Sequence, residues 1–158
     1  MKAVVLHEYG GPEKLKFEDN GPEPQISGST VLIATAAASV NPIDWKLRSG
    51  MRQKDSPLSF PAILGRDVSG VVRAVGANVK HFKAGDRVLA LSNATYAGLV
   101  AVDHSELTRL PDGVDLPNAA QLGAAYEFVG QSSGQIHPQL WIFAQIQSND
   151  DSTVQLDA

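Results

Sequence analysis

The chain has 158 residues, 43% apolar and 19% charged, which bounds it to one ordinary globular domain with room for a real core. Its formal charge of −4 comes without a Lys/Arg cluster, so nothing favours nucleic acid or an anionic membrane as a partner. The absence of cysteine removes disulfides, Cys–zinc sites and a thiol nucleophile together, and fits a cytoplasmic location.

The opening MKAVVLHEYGG has one Lys and a short apolar run, so no signal peptide is expected there. No stretch reaches the ~20 apolar residues of a membrane span. Residues 2–7 read as a first strand, closed by the Gly10-Gly11-Pro12 turn. Residues 14–18 alternate polar and apolar, as a half-exposed strand does. Residues 20–29 are loop by composition. Residues 30–39 are apolar and β-branched at their start, which predicts a buried strand. Residues 42–50 read as a short helix, with Asn41 as its N-cap and Pro42 at the first position, where a missing N–H costs nothing.

Residues 51–60 read as a polar loop. In PAILGRDVSGVVRAVG, valines lie between glycines, which predicts strands bent at Gly65 and Gly70, with close backbone approach there. A turn over 80–85 leads to strands over 86–91, 94–102 and 106–110. Pro111-Asp112-Gly113 is a strong turn, and residues 117–128 carry the remaining helical promise. Glycine and proline are plentiful, at 14 and 9 residues, in keeping with many short strands. The expected fold is mainly β with short helices: a partly open β-barrel.

Several ordered segments carry a family resemblance: MKAVVLHEYGGPEKLKFED, VNPIDWKLRSG, FPAILGRDVSGVVRAVG, HFKAGDRVLAL and ELTRLPDGVDLPNAA. Together they resemble the GroES-like catalytic domain of the medium-chain dehydrogenase/reductase superfamily, in its zinc-free quinone oxidoreductase and enone (2-alkenal) reductase branch. The zinc alcohol dehydrogenases carry an early Cys ligand and a Gly-His-Glu. This chain reads Ser39-Val40-Asn41-Pro42 and Gly65-Arg66-Asp67 at those places. Three zinc ligands cannot be drawn from them, and His7, His81, His104 and His137 show no ligand spacing, so no metal is expected.

The resemblance implies hydride transfer from NADPH or NADH to an enone or a quinone, with protein donors at the carbonyl oxygen. It places Asn41 at the cleft as an amide donor, a role that competes or coexists with a plain N-cap. Lys46 stands where enone-reductase relatives also carry Lys, as a donor to substrate or ribose, or as a solvated helix lysine. Trp45, Phe60 and Tyr96 are candidate lining residues of an apolar pocket, or ordinary core. Asp44 and Asp67 are expected to be structural, Asp44 tied to backbone N–H groups and Asp67 needing paired donors, with Arg66 the nearest candidate. Gly65, Gly70 and Gly76 are expected to be structural as well.

Relatives continue near residue 120 into a Rossmann domain. No G-x-G-x-x-G at a strand-to-helix turn, and no βαβ unit, is legible here. The expectation is therefore a GroES-like domain over residues 1–120 that binds no cofactor on its own and is inactive alone. Residues 121–158 are either a remnant helix and C-terminal strands closing the same domain or an unrelated tail. GQIHPQLWIFAQ resembles the segment that follows the Rossmann domain in relatives, and STVQLDA their final strand. A face left without its Rossmann partner would favour a homo-oligomer or a dehydrogenase-like partner, with Tyr126, Phe128, Trp141, Ile142 and Phe143 at the contact.

Overall fold

The computed structural model describes residues 1–120 and 142–144. Among these, nine strands and two short α-helices run in the order β1 (Ala3–Leu6), β2 (Leu15–Glu18), β3 (Thr30–Val40), α1 (Pro42–Arg48), β4 (Ala62–Ile63), β5 (Asp67–Val75), β6 (Arg87–Leu91), β7 (Leu99–Asp103), β8 (Leu107–Arg109), α2 (Leu116–Ala120) and β9 (Ile142–Ala144). Neither helix is long and apolar enough to cross a membrane.

The strands form two open antiparallel sheets. A small one runs β2-β1-β4, and a larger one runs β7-β3-β5-β6-β8 with β9 also on β3. An isolated bridge between Ala3 and Ala97 and the bond from Val4 N to Tyr96 O join them. The mainly-β, partly open architecture read from the sequence is the one observed. β9 pairs the last three residues of β3, Ile142 opposite Val40 and Ala144 opposite Ala38, so this part of the C-terminal segment returns to the large sheet. The other expectations for residues 121–158, including those for Tyr126, Phe128 and Trp141, lie outside the described residues.

The core follows from residue shape. Val31, Ile33, Val68, Val72, Val88, Val100, Val102 and Leu107 pack as one cluster on the inner face of the large sheet. β-Branched side chains suit such a surface. A second cluster of Leu6, Ala38, Leu64 and Tyr96 fills the space between the sheets. β3 serves both clusters because its register on β5 shifts between Thr35 and Ala37. Such an irregularity re-aims the side chains that follow it. Val31 and Ile33 alternate inward before the shift, whereas Ala37, Ala38 and Ser39 are buried consecutively after it.

One element departs from the sequence reading. The strand expected over 94–102 begins only at Leu99. Ala94 adopts a positive φ of 59°, and the chain from 92 to 97 folds over the β4–β5 connection instead. Ser92 N donates to Arg66 O and Tyr96 N to Leu64 O. A run of Thr, Tyr and small residues suits both a strand and this crossing, and only tertiary hydrogen bonding separates them.

The glycines at the bends meet real constraints. A Cβ on Gly70 would come within 2.2 Å of Ala34 O, and one on Gly76 within 2.0 Å of Ser27 O. Gly65 has a φ of +99°, and its Cβ would fall 2.3 Å from Thr95 Oγ1 and 2.6 Å from the Tyr96 ring. Gly65→Ala combines left-handed strain with overpacking at one buried point. It should lower unfolding stability by about 2 kcal/mol or more in a denaturant titration.

Candidate functional site

The site is assembled where β3 runs into α1. Ser39 and Asp67 are directly opposite each other across the β3–β5 pairing. Opposed Cβ atoms in such a ladder lie close enough for side chains to bond. The Ser39 hydroxyl donates to Asp67 Oδ2 at 2.5 Å, with both residues buried. Two residues further on, Asn41 ends the strand with φ −113° and ψ 157° and caps α1, with Pro42 starting the helix as expected.

The side chain of Asn41 turns toward the strand pair. Its Nδ2 donates to Asp67 Oδ2 at 2.6 Å and lies 3.2 Å from Ser39 Oγ. An ionised carboxylate only accepts, so the nitrogen and not the oxygen of the amide must face it. Sides of 2.6, 3.2 and 2.5 Å put the two acceptors roughly 50° apart seen from Nδ2, by the cosine rule. The two N–H bonds of a planar amide diverge by more than twice that. One hydrogen can therefore serve both acceptors, which lie within one narrow sector. Asn41 as a whole is 8% exposed.

The backbone of Asn41 is held by a different carboxylate. Asn41 N donates to Asp44 Oδ2 at 2.7 Å, the return half of a capping box. Asp44 Oδ2 also accepts from the Tyr96 hydroxyl at 2.8 Å, and Oδ1 accepts from Gly65 N at 3.2 Å. These three donors are neutral groups. Burial accordingly pushes the Asp44 carboxyl above its ordinary value, the nearby Asp67 adds to that, and the three hydrogen bonds oppose it. The Tyr96 hydroxyl is pushed up as well, first by burial and then by the charge of Asp44 beneath it.

The remaining candidates scatter around this centre. Tyr96 packs in the core against Leu6, Ala38 and Leu64. Besides packing there, its hydroxyl is the donor that ties the 92–97 segment to α1. Trp45 is 43% exposed on α1, and the Lys46 ammonium stands 5.8 Å from its ring centroid. Phe60 is partly exposed and meets Tyr9 edge-on at 4.8 Å between centroids. Tyr9 also accepts a bond from Leu58 N through its hydroxyl, so it anchors the end of the 51–60 loop. Arg66 donates through Nη1 to Asn93 Oδ1 at 3.1 Å, whereas the bonds to Asp67 described above come from Ser39 and Asn41. Ser39, outside the expected site residues, belongs to the site through its bond to Asp67; its sequence signal is its place in the segment where the zinc enzymes carry an early Cys ligand.

Ser39, Asn41 and Asp67 offer one carboxylate, one hydroxyl and an amide that presents its nitrogen. This donor set does not fit a zinc ion, which takes three protein ligands from His, Cys or carboxylate. Among the described residues no group of three or more His, Cys, Asp or Glu is gathered to hold a metal. Nor do they fit a dinucleotide, because every named strand pair is antiparallel and neither helix follows a Gly-rich turn from a parallel strand.

A family model described as the alcohol dehydrogenase GroES-like domain matches residues 27–129. The NADPH-dependent alkenal/one oxidoreductase of Arabidopsis thaliana chloroplasts is 40% identical over 138 residues, 80% of this chain and 35% of that protein. Human quinone oxidoreductase is 40% identical over 131 residues, 80% of this chain and 38% of that protein. The chain thus spans little more than a third of the length of these relatives. In structure it resembles Escherichia coli quinone oxidoreductase complexed with NADPH, with a TM-score of 0.69 and 30% identity over 76% of this chain and 36% of that one.

Removing the Asp44 carboxylate strands three buried or half-buried donors at once. Asp44→Ala should cost about 3 kcal/mol or more, and Tyr96→Phe, which loses one bond, about 1 kcal/mol. Thermal unfolding of the two variants beside the parent checks the ratio.

Proposed function

The chain belongs to the alcohol dehydrogenase GroES-like domain family, and from that premise we propose that it is the substrate-binding, catalytic-type domain of a zinc-independent, NAD(P)H-dependent quinone or enone oxidoreductase. The observation that carries the reading is the amide nitrogen of Asn41, whose two inner acceptors crowd into one sector and so can be served by one hydrogen, at a residue 8% exposed. A carbonyl oxygen is the acceptor such a donor suits. A fixed donor of this kind sets the direction from which that oxygen approaches, because it need not reorient on binding. Lys46 is the second donor of the reading, and Trp45 and Phe60 are its exposed apolar surfaces. The alkenal/one and quinone oxidoreductases among the relatives supply the substrate class.

NADPH, when bound, supplies a hydride. On this reading the described residues do not form its site, and the 158-residue chain alone holds a carbonyl compound weakly and does not turn it over.

Exposed Trp45, Met51 and Phe60 favour a second reading, a non-enzymatic module that associates with another copy or with a dehydrogenase-like chain. Sedimentation at high concentration separates the two. Association is expected on the second reading, and a clean monomer sets it aside.

The purified chain should bind 2-cyclohexenone only at about millimolar levels. Asn41→Ala should weaken that roughly threefold to tenfold, the loss of one hydrogen bond. NADPH titrated into the same chain should show no saturable binding. Saturable NADPH binding at micromolar levels, or turnover of the enone at an ordinary enzyme rate, would overturn the reading.

A further inference from the structure

An asparagine amide at a binding site has two orientations that differ by exchange of nitrogen and oxygen. They have nearly the same shape, so packing alone selects between them poorly. Only hydrogen-bonding partners do, and a carboxylate is the most selective of them, since it accepts and does not donate. Asp67 is wholly buried, and its Oδ2 lies 2.6 Å from Asn41 Nδ2. With the amide reversed, two oxygens would face each other at that distance in a buried setting, where repulsion between acceptors is poorly screened.

Ser39 acts on the same atom from the other side. Its hydroxyl spends its hydrogen on Asp67 Oδ2, at 2.5 Å, so its oxygen faces Asn41 as an acceptor. Both neighbours therefore demand a donor from Asn41. The strand register fixes both, because Ser39 and Asp67 are partners across β3 and β5. The backbone of Asn41 is independently pinned by Asp44 Oδ2. The side chain is held at both ends of its χ torsions.

The geometry points to Asp67 as the positioning residue for Asn41, with Ser39 as its support: the buried carboxylate sets the amide so that one N–H is consumed inside and the other is presented outward to a carbonyl ligand. Asp67 touches no ligand in this scheme. It acts through Asn41. The inference deepens the carbonyl-binding reading above and rests on it for the identity of the ligand, but the amide orientation is measurable without any ligand.

The test uses the ¹⁵N-labelled 158-residue chain and the side-chain amide resonances of Asn41. In the parent, the two Asn41 hydrogens should be widely separated, the inner one shifted downfield by its carboxylate acceptor. Ser39→Ala removes only the supporting hydroxyl and should keep that separation. Asp67→Asn offers the amide a partner that both donates and accepts, so the separation should collapse. Binding of 2-cyclohexenone, followed on backbone resonances, should weaken roughly threefold to tenfold in Asp67→Asn. A merely structural carboxylate would instead let both buried variants change stability while the Asn41 amide pattern followed neither of them. Two results overturn the inference: an ordinary, narrowly spaced amide pair in the parent, or a downfield hydrogen that persists in folded Asp67→Asn. The parent measurement stands even where that variant fails to fold. If the enone leaves the outward hydrogen of the parent unmoved while the amide pattern behaves as expected, the carbonyl reading fails and the positioning role survives.

Discussion

The arrangement at this site depends on the burial of the Asp67 carboxylate beneath the β3–α1 junction. A carboxylate in an apolar sheet must be supplied with donors or it destabilises the fold by several kcal/mol. Ser39 and Asn41 supply two of them, and both lie within three residues at the end of one strand. Supplying them dictates much else. β3 must carry a small hydroxyl residue opposite Asp67, its register on β5 must be fixed, and the helix must start where Asn41 turns the chain. Asp44 then repeats the device one turn later, collecting Asn41 N, Gly65 N and the Tyr96 hydroxyl. Two buried acids thus tie β3, α1, the β4–β5 connection and the 92–97 segment into one body.

Much of the fold was legible because its elements obey local rules. The start of α1 at Pro42, behind Asn41, follows from proline's missing N–H and the need for a cap. The alternation in 14–18 and the β-branched run in 30–39 gave β2 and β3. The close approach at Gly70 was foreseen from a glycine inside a valine-rich strand. What escaped the sequence was non-local. The 94–102 stretch has a strand's composition, yet its first half is held through Tyr96 N on Leu64 O, from far earlier in the chain. The register shift at Thr35, which lets one strand feed two cores, has no residue signature at all.

The site shows the same division. Asn41, Asp44 and Asp67 were readable as residues of interest through the family resemblance, and Asn41 also as the N-cap before Pro42. Their pairing was not readable. Sequence adjacency pointed to Arg66 beside Asp67; Ser39 and Asn41, 28 and 26 positions away, are donors that adjacency does not indicate. Tyr96 was legible as an aromatic of the interior and not as a hydrogen-bond donor to Asp44, since 52 residues separate the two.

The buried acid also limits what Asn41 can do. At an effective dielectric near 20, a carboxylate ~6 Å behind a developing negative charge opposes it by about 3 kcal/mol. A single neutral hydrogen bond contributes about 1 kcal/mol and does not offset that. On the carbonyl-binding reading, Asn41 therefore sets the direction of approach and the register of the ligand, whereas the charge that accumulates on the oxygen needs a cation. Lys46 is the lysine that α1 carries, one turn beyond Asn41, with its ammonium above the Trp45 face. Orientation from a fixed amide and charge from a lysine are separable contributions. Loss of the first should weaken binding of the neutral ligand, and loss of the second should be felt chiefly when charge develops.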